Sequence, residues 1–192
     1  MSGMEFDAGK VAGEALKKAG GKKGICVNQE VGNVSLDQRC AGFKEGFGDV
    51  KVLPTSADPA ENESKVRAAL ASDPAVDTIL TLNATLAGEP AVKAAAESGR
   101  SGIHIATFDM SAGFLEAVEK GQADFAIDQQ QFLQGYLPVS FLALNAKYGL
   151  MPVARPVRPD LITKRTRPSR WWNCRPRVSG KTGCLVLERF LF

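Results

Sequence analysis

Short apolar runs alternate with amphipathic stretches through most of the chain. Ala8, Val11, Ala12, Ala15 and Leu16 recur at helical spacing, which predicts a helix over Glu5–Ala19 closed by Gly20-Gly21. Gly24–Val27 then forms a short buried strand, and Asn28–Asn33 a polar turn. The same unit repeats. Helices are expected over Leu36–Phe47, Ala60–Ser72, Leu86–Ser98 and Ala112–Gly121, and strands over Val50–Leu53, Thr78–Leu82, Ile103–Phe108 and Asp124–Ile127. Acids open the third helix (Glu61, Glu63) and bases follow (Lys65, Arg67), which suits the helix dipole. Strands alternating with helices of this length predict an α/β fold: a parallel sheet with helices on both faces, in three Rossmann-like layers.

Gln129–Tyr148 breaks the pattern. Phe132, Leu133, Tyr136, Leu137, Val139, Phe141, Leu142 and Leu144 spread over more than one helical face, so this helix needs a large surface to bury it. Beyond Pro152, Pro156 and Pro159, Asp160–Thr163 is a candidate strand. Residues 164–192 show no sustained period.

Charge divides the chain at the same place. Residues 1–150 carry a balance of −5, residues 151–192 one of +8, and eight of the eleven arginines lie in that last stretch with Trp171 and Trp172. The tail is therefore a different kind of segment from the rest. No apolar run is long enough to span a membrane, and no signal peptide is visible at Met1, so the polypeptide as written is expected to stay in the cytoplasm. The four cysteines form no C-x-x-C pair and the only histidine is His104, which speaks against a zinc site. Cys26 and Cys40 fit either small buried residues or a disulfide, the latter implying an oxidising compartment.

In an open parallel sheet, ligands collect beyond the carboxyl ends of the strands. The polar residues there are Asn28, Gln29 and Glu30 (with Arg39 on the following helix), Asn83 after Thr81-Leu82, Asp109 after Phe108, and Asp128, Gln129, Gln130 and Gln131. Amides, a carboxylate, a guanidinium and an aromatic ring together suit sugar hydroxyls and the C–H face of a sugar ring. Each also has a plainer role: Asn83 and Asp109 as caps or turn residues, Arg39 as a solvated charge. No phosphate-cradling glycine loop and no nucleophile elbow occurs. No cofactor is expected, and the residues favour a binding protein over an enzyme.

The pieces EFDAGKVAG (Glu5–Gly13), CVNQEVGNVSLDQRCAGF (Cys26–Phe43), DTILTLN (Asp77–Asn83), ATFD (Ala106–Asp109), FAIDQQQ (Phe125–Gln131) and QGY (Gln134–Tyr136) resemble, in order and spacing, the ribose-binding-like type I periplasmic solute-binding proteins. The resemblance covers residues 4–163. It implies a monosaccharide-binding subunit of a bacterial ABC importer, located in the periplasm and partnered by a membrane permease. It also implies that residues 1–128 form the second of two sugar-binding lobes. Residues 129–163 would be a hinge crossover and a remnant of the first lobe, and 164–192 a basic tail foreign to the family. Arg39, Asn83, Asp109 and Gln129 match the family's ligand-binding positions; Pro59 falls where some relatives place an aromatic and is not carried over. The first lobe's front is not represented, and the sequence after Lys164 resembles translation in a shifted frame, so a truncated product is expected. Such a product would bind sugar weakly and self-associate through the 129–148 helix. The alternative is the ligand-sensing domain of a lactose-repressor-type regulator, which shares this fold. No helix-turn-helix precedes the domain here and the tail arginines form no helical stripe, so no nucleic-acid partner is expected.

Overall fold

The computed structural model describes residues 2–150 and 160–164. The basic tail beyond Lys164, with Trp171, Trp172, Cys174 and Cys184, lies outside the described residues, as do Pro152, Pro156 and Pro159.

Among the described residues six α-helices and six strands alternate: α1 (Ser2–Ala19), β1 (Gly24–Asn28), α2 (Val34–Phe47), β2 (Val50–Pro54), α3 (Pro59–Ser72), β3 (Thr78–Thr81), α4 (Glu89–Glu97), β4 (His104–Phe108), α5 (Ala112–Lys120), β5 (Phe125–Asp128), α6 (Gln131–Tyr148) and β6 (Asp160–Thr163). The sheet order is β2-β1-β3-β4-β5-β6. The first five strands are parallel, and β6 adds antiparallel to β5 with Ala126 opposite Ile162. The expected α/β fold with helices on both faces is present, with an antiparallel edge on a parallel sheet.

Strand alternation separates two cores. Ile25, Val27, Ile79, Ile105 and Ala126 face one side and pack with Val66, Leu70, Ala91, Ala94, Phe114 and Val118 of α3, α4 and α5. Cys26, Leu80, Ala106, Phe108, Phe125 and Ile127 face the other and pack with Ala8, Ala12, Leu16, Leu36, Cys40 and Phe43 of α1 and α2. The disulfide joins Cys26 to Cys40 inside that second core, tying α2 to the central strand β1.

The α1–α2 contact is unusually close because glycines meet backbone across it. A Cβ on Gly9 would lie 2.1 Å from the Arg39 carbonyl oxygen, one on Gly42 2.0 Å from that of Phe6, and one on Gly46 2.2 Å from that of Lys10. Only residues without a side chain allow this separation.

The expected single helix over Leu86–Ser98 is divided in two. A π-helical turn, Ala84–Gly88, comes first, and the α-helix starts at Glu89. Pro90 in the first turn of α4 has no N–H to continue an earlier helix, and Gly88 is wedged against Phe114 and Thr107. Single-turn π segments are common at functional sites, and this one follows β3 at the carboxyl edge.

Helix α6 has no buried residue: Phe132 and Leu142 are 70% exposed, and Tyr136, Val139 and Tyr148 are also open to solvent. The broad apolar surface expected from sequence is there, without a cover among the described residues.

Two stability predictions follow from these contacts. Gly42→Ala should destabilise the fold by about 2 kcal/mol in denaturant melts, overpacking outweighing the helix propensity that alanine gains. Replacing Cys26 and Cys40 together by alanine should cost about 3 kcal/mol, the amount expected for closing a loop of this length. Measured unfolding free energies equal to the parent's would contradict either expectation.

Candidate functional site

The carboxyl ends of β1, β3, β4 and β5 lie side by side, so the residues that follow them share one rim. Arg39 reaches this rim from α2. It is not the solvated charge of its plainer reading: its side chain is only 8% exposed. Burying a guanidinium demands partners on every side that water would otherwise serve, and Arg39 has three. Nε donates to Glu5 Oε2 at 2.6 Å, Nη2 donates to Gln129 Oε1 at 2.6 Å, and the guanidinium lies over the Phe108 ring, 4.5 Å from its centroid.

The chain of bonds continues. Gln129 Nε2 donates to Asp109 Oδ1, and Gln131 Nε2 donates to the same oxygen at 3.0 Å. A guanidinium only donates and a carboxylate only accepts, so the Gln129 amide between them has one possible orientation. Among the described residues Arg39 Nη1 has no acceptor and Asp109 Oδ2 no donor. The network thus ends in an unused donor and an unused acceptor.

Local backbone geometry aims these groups. Asp109 sits at φ 67°, in the left-handed region that Asp tolerates better than most residues, while its N–H extends the β4–β5 ladder to Ile127 O at 3.1 Å. Gln130 sits at φ 60°, and its N–H donates to Asp128 Oδ1 at 2.7 Å. This turn ends β5 and starts α6, and it presents Gln129 to Arg39. Gln134 Nε2 adds a bond to Gln129 O at 2.6 Å.

Asn83 stands apart from this network. It follows β3 on the same rim, but its Oδ1 accepts from Leu86 N at 2.8 Å and caps the π turn. The structure joins Arg39, Asp109 and Gln129 through hydrogen bonds; it gives Asn83 the capping role and no bond to the other three. Asn28, another strand-end candidate, is fully buried and structural: Nδ2 donates to Asp37 Oδ1 at 2.8 Å, and Oδ1 accepts from Glu30 N. His104 is far from the rim, at the start of β4, where its Nδ1 lies 3.1 Å from Asp124 Oδ1.

Sequence reasoning missed Glu5. It occupies the first turn of α1, 34 positions from Arg39. No spacing links two residues that far apart. The one signal was the glycine pattern: Gly9 and Gly13 in one predicted helix, Gly42 and Gly46 in the other, each four apart on one face.

A family model described as a periplasmic binding protein domain matches residues 2–149. A carbohydrate transporter from Acidothermus cellulolyticus 11B, solved in complex with myo-inositol, is 33% identical with a TM-score of 0.75, over 84% of this chain and 58% of its own. An ABC sugar transporter (periplasmic sugar binding protein) from Legionella pneumophila is 26% identical with a TM-score of 0.69, over 78% of this chain and 58% of its own. An ABC transporter periplasmic solute binding protein from Actinobacillus succinogenes 130z with bound D-allose shares the fold at 20% identity, TM-score 0.70, over 84% of this chain and 59% of its own. The chain therefore spans just under three-fifths of the length of these solved proteins. No curated protein matches it. Among the described residues no helix is long and apolar enough to cross a membrane. The match over residues 2–149, on a fold shared with these solved proteins, makes this chain a member of the periplasmic binding protein domain family.

Proposed function

We propose that this chain supplies one lobe of the substrate-binding component of a bacterial ABC sugar importer, and that Arg39, Asn83, Asp109 and Gln129 face a monosaccharide. The observation that carries the reading is the hydrogen-bonded run Arg39–Gln129–Asp109 at the carboxyl rim, with Nη1 and Oδ2 left over. Adjacent sugar hydroxyls each donate and accept, so they complement a donor and an acceptor held apart by a fixed amide. The Acidothermus and Legionella proteins, both named as transporters of carbohydrate or sugar, support the same ligand class. A binding role rather than catalysis agrees with the family and with these relatives. The regulator alternative gains no observation in its favour.

The division of the chain belongs to this proposal. Residues 1–128 act as the sugar-binding lobe, residues 129–163 as a hinge crossover with part of the other lobe, and α6 packs on that other lobe in a whole binding protein. Hinge closure around the sugar would then bury the rim and create the form that a permease recognises. The disulfide between Cys26 and Cys40 fits the oxidising periplasm.

With one side of the site open to water, each polar contact contributes only about 1 kcal/mol. The 192-residue chain should therefore bind pentoses and hexoses in the millimolar range at best. Titration followed by NMR should show chemical-shift changes centred on Arg39, Asp109 and Gln129 that disappear in Asp109→Asn. Micromolar affinity, or shifts confined to another face, would contradict the proposal.

The uncovered α6 should make the isolated chain self-associate. Light scattering should report oligomers whose mass rises with concentration, and replacing Phe132, Tyr136 and Leu142 by Gln, Gln and Lys should return the chain to a monomer. A parent chain that stays monomeric at high concentration would count against this role for α6.

A further inference from the structure

Glu5 has no counterpart among the expected ligand residues, yet it makes a 2.6 Å ion pair with the guanidinium at the centre of the site. Its position is forced from two directions. The glycine contacts at Gly9 and Gly42 press the start of α1 against α2, and the disulfide at Cys40, next to Arg39, holds α2 on the sheet. Glu5 is also less buried than Arg39, with 31% of its side chain exposed.

We infer that Glu5 is a positioning residue that makes the site select uncharged polyhydroxy ligands over acidic ones. This rests on the saccharide reading above.

Two consequences of the geometry support it. A guanidinium grips a carboxylate best through a fork of two parallel N–H groups, one fork being Nε with its neighbouring Nη. Glu5 occupies Nε and Gln129 occupies Nη2, so that fork is closed to an incoming carboxylate. Phe108 covers one face of the same group, which leaves Nη1 as the unengaged nitrogen. The charges point the same way. Glu5 cancels the charge of Arg39, and Asp109, whose partners are the amides of Gln129 and Gln131, keeps its negative charge on the rim. A sugar acid entering here meets like charge, whereas a neutral sugar meets single donors and acceptors. Without the Glu5 carboxylate, the buried Arg39 would keep its full positive charge and attract an incoming carboxylate.

The test compares the full 192-residue chain with Glu5→Gln and Glu5→Asp. Each is titrated by NMR with D-galactose and D-galacturonate, and with D-glucose and D-glucuronate, pairs that differ only in a carboxylate. In the parent, the neutral member binds and the acid is disfavoured; in Glu5→Gln, the ratio of acid to neutral affinity rises about tenfold or more, and Glu5→Asp falls between. The Arg39 Nε–H resonance, slowly exchanging in the parent, exchanges faster in Glu5→Gln, whose amide oxygen is a weaker acceptor than a carboxylate, while the backbone spectrum is kept. An unchanged affinity ratio, or an Arg39 resonance that exchanges equally fast in parent and variant, overturns the inference. If the parent binds neither member of either pair, the saccharide reading fails and the selectivity falls with it. Loss of the Arg39 signature in Glu5→Gln would then support positioning alone.

Discussion

The site depends on how closely two helices can approach. Gly9 and Gly13 of α1 and Gly42 and Gly46 of α2 allow backbone to meet backbone, and a single methyl group at Gly42 would collide with the Phe6 carbonyl. That closeness sets the depth of Arg39. A wider spacing would carry Glu5 out of reach of Nε, and the guanidinium would lose the acceptor that makes its burial tolerable. The disulfide acts on the same helix from the other side, fixing Cys40 to β1 one residue from Arg39. Packing and covalent restraint thus converge on one side chain.

Around Arg39 the polar groups satisfy one another. Glu5, Gln129 and Phe108 surround the guanidinium, while Gln129 and Gln131 serve Asp109. A rim of unpaired strand-end polar groups would be costly to bury and free to wander in water; a bonded run is neither. Two residues held in the left-handed region, Asp109 and Gln130, bear the conformational cost of this arrangement. Strain of this kind concentrates where geometry matters to function, and here it flanks the proposed ligand groups.

Helix α6 links the sheet to the rim residues, and on the proposed reading it is also the face that meets a second lobe. It leaves β5 through the Gln130 turn whose neighbour Gln129 belongs to the hydrogen-bonded run with Arg39 and Asp109. Any movement of α6 relative to the sheet therefore acts directly on the amide between Arg39 and Asp109. Its exposed Phe132, Tyr136 and Leu142 are the side chains that the proposed second lobe would cover.

The layering was legible in the sequence because hydrophobic period is local. Runs such as Ile25–Val27 and Thr78–Thr81 announce buried strands, and the five parallel strands and their helices lie close to the expected boundaries. Strand-end polar residues were legible too, since an open parallel sheet puts them on one rim by topology alone. The π turn at Ala84–Gly88 was not, because it depends on Asn83 capping, Pro90 and the packing of Gly88 on Phe114 together. Nor was the choice between free thiols and a disulfide for Cys26 and Cys40, which only the seating of α2 on β1 decides. The sequence by itself determined the α/β architecture and which polar residues stand at its edge. Tertiary structure alone decided that Arg39 is buried and neutralised by Glu5, because an ion pair 34 residues apart exists only once two glycine-faced helices are pressed together.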